Sequence, residues 1–329
     1  MNKTEWARTK YNSEVGGTML LLFAALIWGS AFTAQSIGAG YVGTFTFMAG
    51  RCWLSFLFLL MLAAARRQGG KRRALRRFAG SAPRRDESGA GASEETLQQD
   101  AGGNRTGTEY RRLLIRAGIL SGIFLFAASS AQQAGIAYTT TAKSGFITSL
   151  YVVFVPILAV FAGRRPRRKI WLCIALAVVG LWLLTMTGAA SFSFGDSITL
   201  LCALLFAFQI IVLHRYAPFL NPVDLTCVEF LVSALLSTVF MFALEHPEAS
   251  AVGRAMPSLL YAGILSGGIG YTLQTVGERR LDPAIASLSM CMESVFSALT
   301  GWIILHQSMT PREMAGAALM FCSIVLAQL

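Results

Sequence analysis

The chain has 329 residues, of which 54% are hydrophobic and only 14% charged, with a net charge of +11. A soluble domain carries about 45–50% apolar and about 25% charged residues. The balance therefore excludes a soluble enzyme and a disordered chain, and its positive charge, held between long apolar runs, argues for membrane orientation and not for nucleic-acid binding.

A helix crosses a bilayer with about 20 apolar residues. Ten segments qualify: 18–37, 44–65, 113–136, 144–162, 170–187, 196–214, 225–244, 258–277, 284–305 and 312–328. Lys3, Arg8 and Lys10 precede the first, but its length and the lack of a cleavage signal mark it as a retained helix. Between the second and third lies 66–112, rich in Arg, Gly, Ser and Ala. Such a composition cannot bury a core, so a disordered cytoplasmic loop is expected there. Its arginine pairs suit it to anionic lipid.

With the N-terminus inside, the cytoplasmic segments hold 23 basic residues and the outer ones 3. The outer three are Lys143, Arg254 and Arg312. The positive-inside rule thus places a multi-pass protein in the cell membrane with both termini cytoplasmic.

Cys52, Cys173, Cys202, Cys227, Cys291 and Cys322 lie in apolar runs without CxxC spacing, and the three histidines are isolated. They read as free thiols in packed helices, and no metal site is expected. No GxxxxGK[ST] motif occurs, so neither ATP nor another cofactor is called for.

The hexapeptide AGILSG occurs at 117–122 and again at 262–267, near the starts of the third and eighth spans. Five spans per half is an odd number, so the second half, 196–328, is inverted relative to the first, 18–187. An all-α membrane protein of two inverted five-helix repeats is an architecture of secondary transporters, with the substrate site near the midplane.

Several stretches also resemble a known family. They are WGSAF at 28–32, QQAGIAYTTTAKSGF at 132–146, LYVVFVP at 150–156, GYTLQ at 270–274, MESVF at 292–296 and TPREMAGAAL at 310–319. The chain is similar to the ten-helix EamA-type members of the drug/metabolite transporter (DMT) superfamily. The resemblance covers both halves outside 66–112. It implies export or exchange of small metabolites, such as amino acids, nucleotide-like compounds or amphipathic cations.

Polar side chains within spans need partners, so they face other helices or a cavity. Trp28, Arg51, Gln132, Gln133, Thr148, Tyr151, Tyr271, Gln274 and Glu293 are the candidates for lining a substrate cavity. Glu293 falls near the midplane, where a carboxylate is costly unless it faces the bundle interior. It is read as an amine contact, a proton-coupling group or a structural acid. Tyr151 falls at the corresponding place in the other repeat and is a candidate partner. Arg51 could hold a substrate carboxylate or bind helix-end carbonyls. Glu229 is expected near the interface and solvated, Lys143 to reach the outer interface. Pro156 is expected to interrupt the fourth span.

The sequence thus points to a secondary transporter, exporting or exchanging a small organic metabolite by alternating access, with proton coupling open. An exporter or flippase of amphipathic drugs or lipid-linked sugars, and a non-transporting membrane adaptor acting through 66–112, are the alternatives. An intramembrane enzyme would need paired catalytic groups at midplane depth, and none appears. The partners are a small-molecule substrate and the bilayer; anionic lipid at 66–112 and a second copy of the chain are the further ones admitted.

Overall fold

The computed structural model describes residues 3–80, 107–136, 138, 141–161, 163, 166–185, 193–305 and 310–328, all of it helical or connecting backbone. Helices occupy each of the ten expected segments. Seven stretches among the described residues are long and apolar enough to cross a membrane.

The first two helices are long: α1 runs Lys3–Ala39 and α2 Thr44–Gly80. Helix α3, Gly107–Ile136, follows. The α2 backbone stays helical through Gly80 and α3 begins at Gly107, so only 81–106 of the expected loop lies outside the described residues. Arginine and alanine are good helix formers, and a run of them can extend a helix beyond its apolar span.

The fourth span is not one helix. It divides into α4, Thr141–Ser149, and α5, Tyr151–Phe161. The break is at Leu150, whose N–H bonds the Ile147 carbonyl at 3.1 Å in a tightened i→i−3 turn. Pro156 lies inside α5 and does not cause the break. The side chain of Lys143 lies outside the described residues.

Helix α6, Arg168–Thr185, is followed by α7, Phe194–Tyr216, which opens on a reciprocal capping box between Ser193 and Asp196. Helix α8, Pro222–Leu244, starts with Asn221 as its cap and Pro222 at the first position. The eighth span is α9, Ala249–Leu260, a wide π-helical stretch, Tyr261–Gly270, and α10, Tyr271–Glu278. The ninth is again divided, into α11, Pro283–Met290, and α12, Glu293–Leu305. The Ser294 N–H bonds the Cys291 carbonyl at 3.3 Å across this second break. Helix α13, Pro311–Gln328, closes the chain.

The polarity of the bundle is reversed relative to a soluble core. Phe161 is 85% and Phe194 72% exposed, whereas Arg51, Glu229, Gln209, Gln274, Glu278 and Glu293 are buried. Large apolar groups outside and hydrogen-bonding groups inside match a lipid solvent. Among the described residues no cysteine forms a disulfide, and all but Cys322 are buried.

Small residues let the helices approach. Both copies of AGILSG do the same work. Gly118 and Gly122 pack on Val228 and Val232 of α8, while Gly263 and Gly267 pack on Leu54 and Ser55 of α2. A β-carbon on Gly122 would stand 2.8 Å from the Glu229 carbonyl oxygen.

The far end of α8 is tied to the start of α2. Glu245 accepts the Phe45 and Thr46 N–H groups at 2.8 Å each and the Thr46 hydroxyl at 2.6 Å. A carboxylate from one helix end thus satisfies the orphan donors of another, where the helix dipole also favours it. Glu245→Ala removes all three bonds and is expected to destabilise the folded protein by about 1–3 kcal/mol. Thermal unfolding in detergent checks this; an unchanged midpoint would mean that water caps α2 equally well.

Candidate functional site

The two broken helices cross at their breaks. Ser149 and Ser294 share a hydrogen bond of 2.8 Å, and Ser294 Oγ also donates to the Gly145 carbonyl at 3.3 Å. This crossing places Glu293 at the first turn of α12. Its Oε1 accepts from the Tyr151 hydroxyl and from the Ser149 hydroxyl, each at 3.4 Å. Among the described residues no protein group bonds its Oε2. The carboxylate therefore keeps one oxygen for a ligand while the N-terminus of α12 favours its charge.

Glu293 looks into a cavity with about 470 Å³ of empty space, measured with its opening. Helix α1 contributes Trp28, Phe32 and Gln35, spaced four and three apart and so on one face. Arg51 enters from α2, Gln132 from α3, Thr148 from α4 and Tyr151 from α5. The second half supplies Phe206, Gln209 and Ile210 from α7, Ser266 from the π stretch, Tyr271 and Gln274 from α10, and Met290 from α11.

Eight of the nine expected cavity residues therefore meet at one place. Gln133 does not. It is buried between α3 and α1, where its Nε2 donates to the Gln35 carbonyl at 3.4 Å. One helical step separates it from Gln132 and turns it to a packing face.

Glu229 also departs from expectation. It is buried, and Gln209 Nε2 donates to its Oε1 at 2.9 Å. Helix α8 begins at Pro222, so Glu229 sits about two turns inside the bundle, not at its rim.

Arg51 is 3% exposed, and among the described residues its guanidinium binds no helix-end carbonyl. Its Nη1 donates to Gln35 Oε1 at 3.5 Å, a long bond, and its Nε has no partner among the described residues. A buried guanidinium held this lightly is open to an anionic ligand group. Opposite charges, Arg51 and Glu293, thus line one cavity without pairing with each other. Aromatic faces frame them. The Trp28 and Tyr271 rings are 5.0 Å apart, Phe230 meets Tyr271 edge-on at 5.2 Å, and Trp28 Nε1 donates to the Ser266 carbonyl at 3.3 Å. Phe32, Gln35, Phe206, Gln209, Ile210, Ser266 and Met290 escaped the sequence reading. Gln35 and Gln209 carried the same signal as the glutamines that were found, an amide within an apolar run. The apolar ones carried none, because such side chains are everywhere in these spans.

A protein-family model described as the EamA-like transporter family matches the chain at 102–186 and again at 193–329. The chain belongs to the EamA-like transporter family. Among relatives, an uncharacterized transporter of Archaeoglobus fulgidus is 28% identical over 215 residues, 64% of this chain and 68% of that protein. The threonine/homoserine exporter RhtA of Escherichia coli (strain K12) is 29% identical over 160 residues, 48% of this chain and 53% of its own. The match thus spans about half of that exporter's length. The uncharacterized transporter YoaV of Bacillus subtilis (strain 168) is 22% identical over 200 residues, 58% of this chain and 68% of YoaV. A crystal structure of another protein superposes with a TM-score of 0.69 at 18% identity, covering 95% of this chain and 98% of that one. This EamA-family chain is a membrane transporter of small molecules and not an enzyme.

The Glu293 cradle can be tested on its own. Tyr151→Phe keeps the ring packing and removes one donor, at a cost of about 1 kcal/mol, or roughly fivefold. A rise of that size in the half-saturation concentration for exchange in proteoliposomes is expected. An unchanged value would mean that Tyr151 packs but does not orient Glu293.

Proposed function

We propose that this chain is a secondary transporter, exporting or exchanging a small zwitterionic organic metabolite across the cytoplasmic membrane by alternating access. The observation that carries the substrate class is the pairing of unspent charges in one cavity. Arg51 suits a carboxylate, and the free Oε2 of Glu293 suits an ammonium group, between aromatic walls. An amphipathic cation would use Glu293 and the aromatic faces but leave the Arg51 charge unmatched. The similarity to threonine/homoserine exporters agrees with a zwitterion.

Two inverted five-helix repeats, 18–187 and 196–328, supply the mechanism. The packing supports this reading. Exchanging the first five spans with the last five maps α3 on α7 into α1 on the π stretch and α10, and maps α1 on α12 into α4 on α7. The pairs α2 with α8 and α6 with α13 map onto themselves. Both fourth-in-repeat spans are broken at the cavity, as in carriers with discontinuous helices. The charge bias puts the end bearing Arg66, Arg279 and Arg280, and both termini, in the cytoplasm.

The test is exchange in proteoliposomes with labelled threonine, a monoamine and a monocarboxylate. Threonine is expected to exchange and the two singly charged compounds to fail. Arg51→Gln and Glu293→Gln each remove a charge-assisted contact of about 1.5–3 kcal/mol, a loss of about 10–150-fold. Exchange of the monoamine that survives Arg51→Gln would replace the zwitterion with a cation as substrate.

A further inference from the structure

Beneath the cavity, two further acids are buried away from any cation. Glu229 on α8 and Glu278 at the end of α10 are both 0% exposed. They are joined by a chain of amides. Gln209 Nε2 donates to Glu229 Oε1 at 2.9 Å. Gln274 Nε2 donates to Gln209 Oε1 at 3.3 Å and to Glu278 Oε1 at 2.8 Å. Gln209 and Gln274 also line the substrate cavity. Below them the Thr226 and Thr275 hydroxyls meet at 3.1 Å and hold α8 to α10.

The network is incomplete. Glu229 Oε2, Glu278 Oε2 and the Gln274 carbonyl oxygen are buried with no hydrogen-bond partner among the described residues. Ser121 of α3 is a hydroxyl neighbour within hydrogen-bonding reach of the Glu229 carboxyl, and its Oγ also lies 3.5 Å from the Gly118 carbonyl oxygen. Buried polar atoms are ordinarily satisfied, so three vacant oxygens in one network mark a place for something that binds there. Among the described residues neither carboxyl has a lysine or arginine partner. The charged and titratable neighbours are Cys52 of α2 beside Glu229, and Tyr271, which feels Glu229, Arg51 and Glu293. Helix α7 faces the pair with Gln209 and α3 with Ser121, while α1 packs Gly17 and Leu21 on Gly277, the residue before Glu278. Arg279 and Arg280 follow Glu278 in the chain but are exposed.

We propose that Glu229 and Glu278 form a proton-binding pair that couples cavity occupancy to a proton gradient, separate from the substrate contact at Glu293. The proposal rests on the transporter reading above. Glu278 is the residue nearest the arginine-rich end, where the α8 cap Asn221 receives Arg66 Nη1 at 2.6 Å. A proton taken from water at that end binds a free carboxyl oxygen and is returned to water later in the cycle. Coupling follows from shared atoms. The Gln274 amide has two N–H donors and both are given within the network, to Gln209 and to Glu278, so a substrate carboxylate that takes either one does so at the network's expense. Substrate and proton therefore change each other's affinity, and do so reciprocally.

The experiment compares two modes of transport by the purified chain in proteoliposomes, with labelled threonine as the probe. Exchange at equal pH reports the cavity alone. Accumulation driven by a pH difference, with a pH dye inside the vesicles, reports coupling. Glu229→Gln and Glu278→Gln are expected to keep exchange within about threefold while accumulation and the dye signal fall at least tenfold. Glu293→Gln is expected to lose exchange itself. Should one glutamine variant not fold, the other carries the test from a different helix. Unchanged accumulation in both variants overturns the proposal. So does loss of exchange in a well-folded variant, which would make the pair part of the cavity wall. Accumulation that follows sodium and not pH overturns it as well. Wild type that exchanges no member of the panel overturns the transporter reading instead, and this proposal with it.

Discussion

A bilayer offers no water to a broken helix, and this chain breaks two helices at the same depth. The hydrogen bond between Ser149 and Ser294 ties the two breaks together inside the bundle, away from lipid. Each interruption leaves backbone groups without their i→i−4 partners, and across the crossing Ser294 Oγ reaches the Gly145 carbonyl while the Ser149 hydroxyl reaches Ser294 and Glu293. The cavity is a consequence of this crossing. The end of α4, the start of α5 and the start of α12 converge there, and they bring Thr148, Tyr151 and Glu293 to one wall. A continuous helix in either position would point its polar groups along a stripe and not into a pocket.

The rest of the bundle serves to keep polar groups inside. Among the described residues amides, hydroxyls and five charged side chains are buried, where each needs a partner, while phenylalanine and leucine cover the outside. Glycine-lined contacts make the interior narrow enough for these short bonds. The AGILSG copies press α3 on α8 and the π stretch on α2, so the repeated sequence corresponds to a repeated joint.

Much of this was legible in the chain. Apolar runs gave the helices because length against bilayer thickness is a strict constraint. Polar residues inside those runs gave most of the cavity because lipid penalises them elsewhere. Three features were not legible. The breaks at Leu150 and Cys291–Met292 carry no proline or glycine, since a tertiary crossing makes them and not local preference. Glu229 was placed too shallow because the Asn221–Pro222 cap starts α8 earlier than its apolar run suggests. Glu278 was hidden by its neighbours, since an acid beside Arg279 and Arg280 reads as a loop residue until the burial of α10 is known. Gln132 and Gln133 mark the limit of resolution, because composition cannot say which of two adjacent glutamines faces the void.

The Glu245 clamp at the head of α2 has a mechanical meaning. Three hydrogen bonds fix one end of α8 to one end of α2, whereas among the described residues the Arg66–Asn221 bond joins their arginine-rich ends. Two rods fastened at one tip open like a pair of compasses. With 23 residues α8 is about 35 Å long, so a tilt of about 10° displaces its free tip by about 6 Å. Any tilt of α8 against α2 is therefore smallest at the Glu245 clamp and largest at the arginine-rich end.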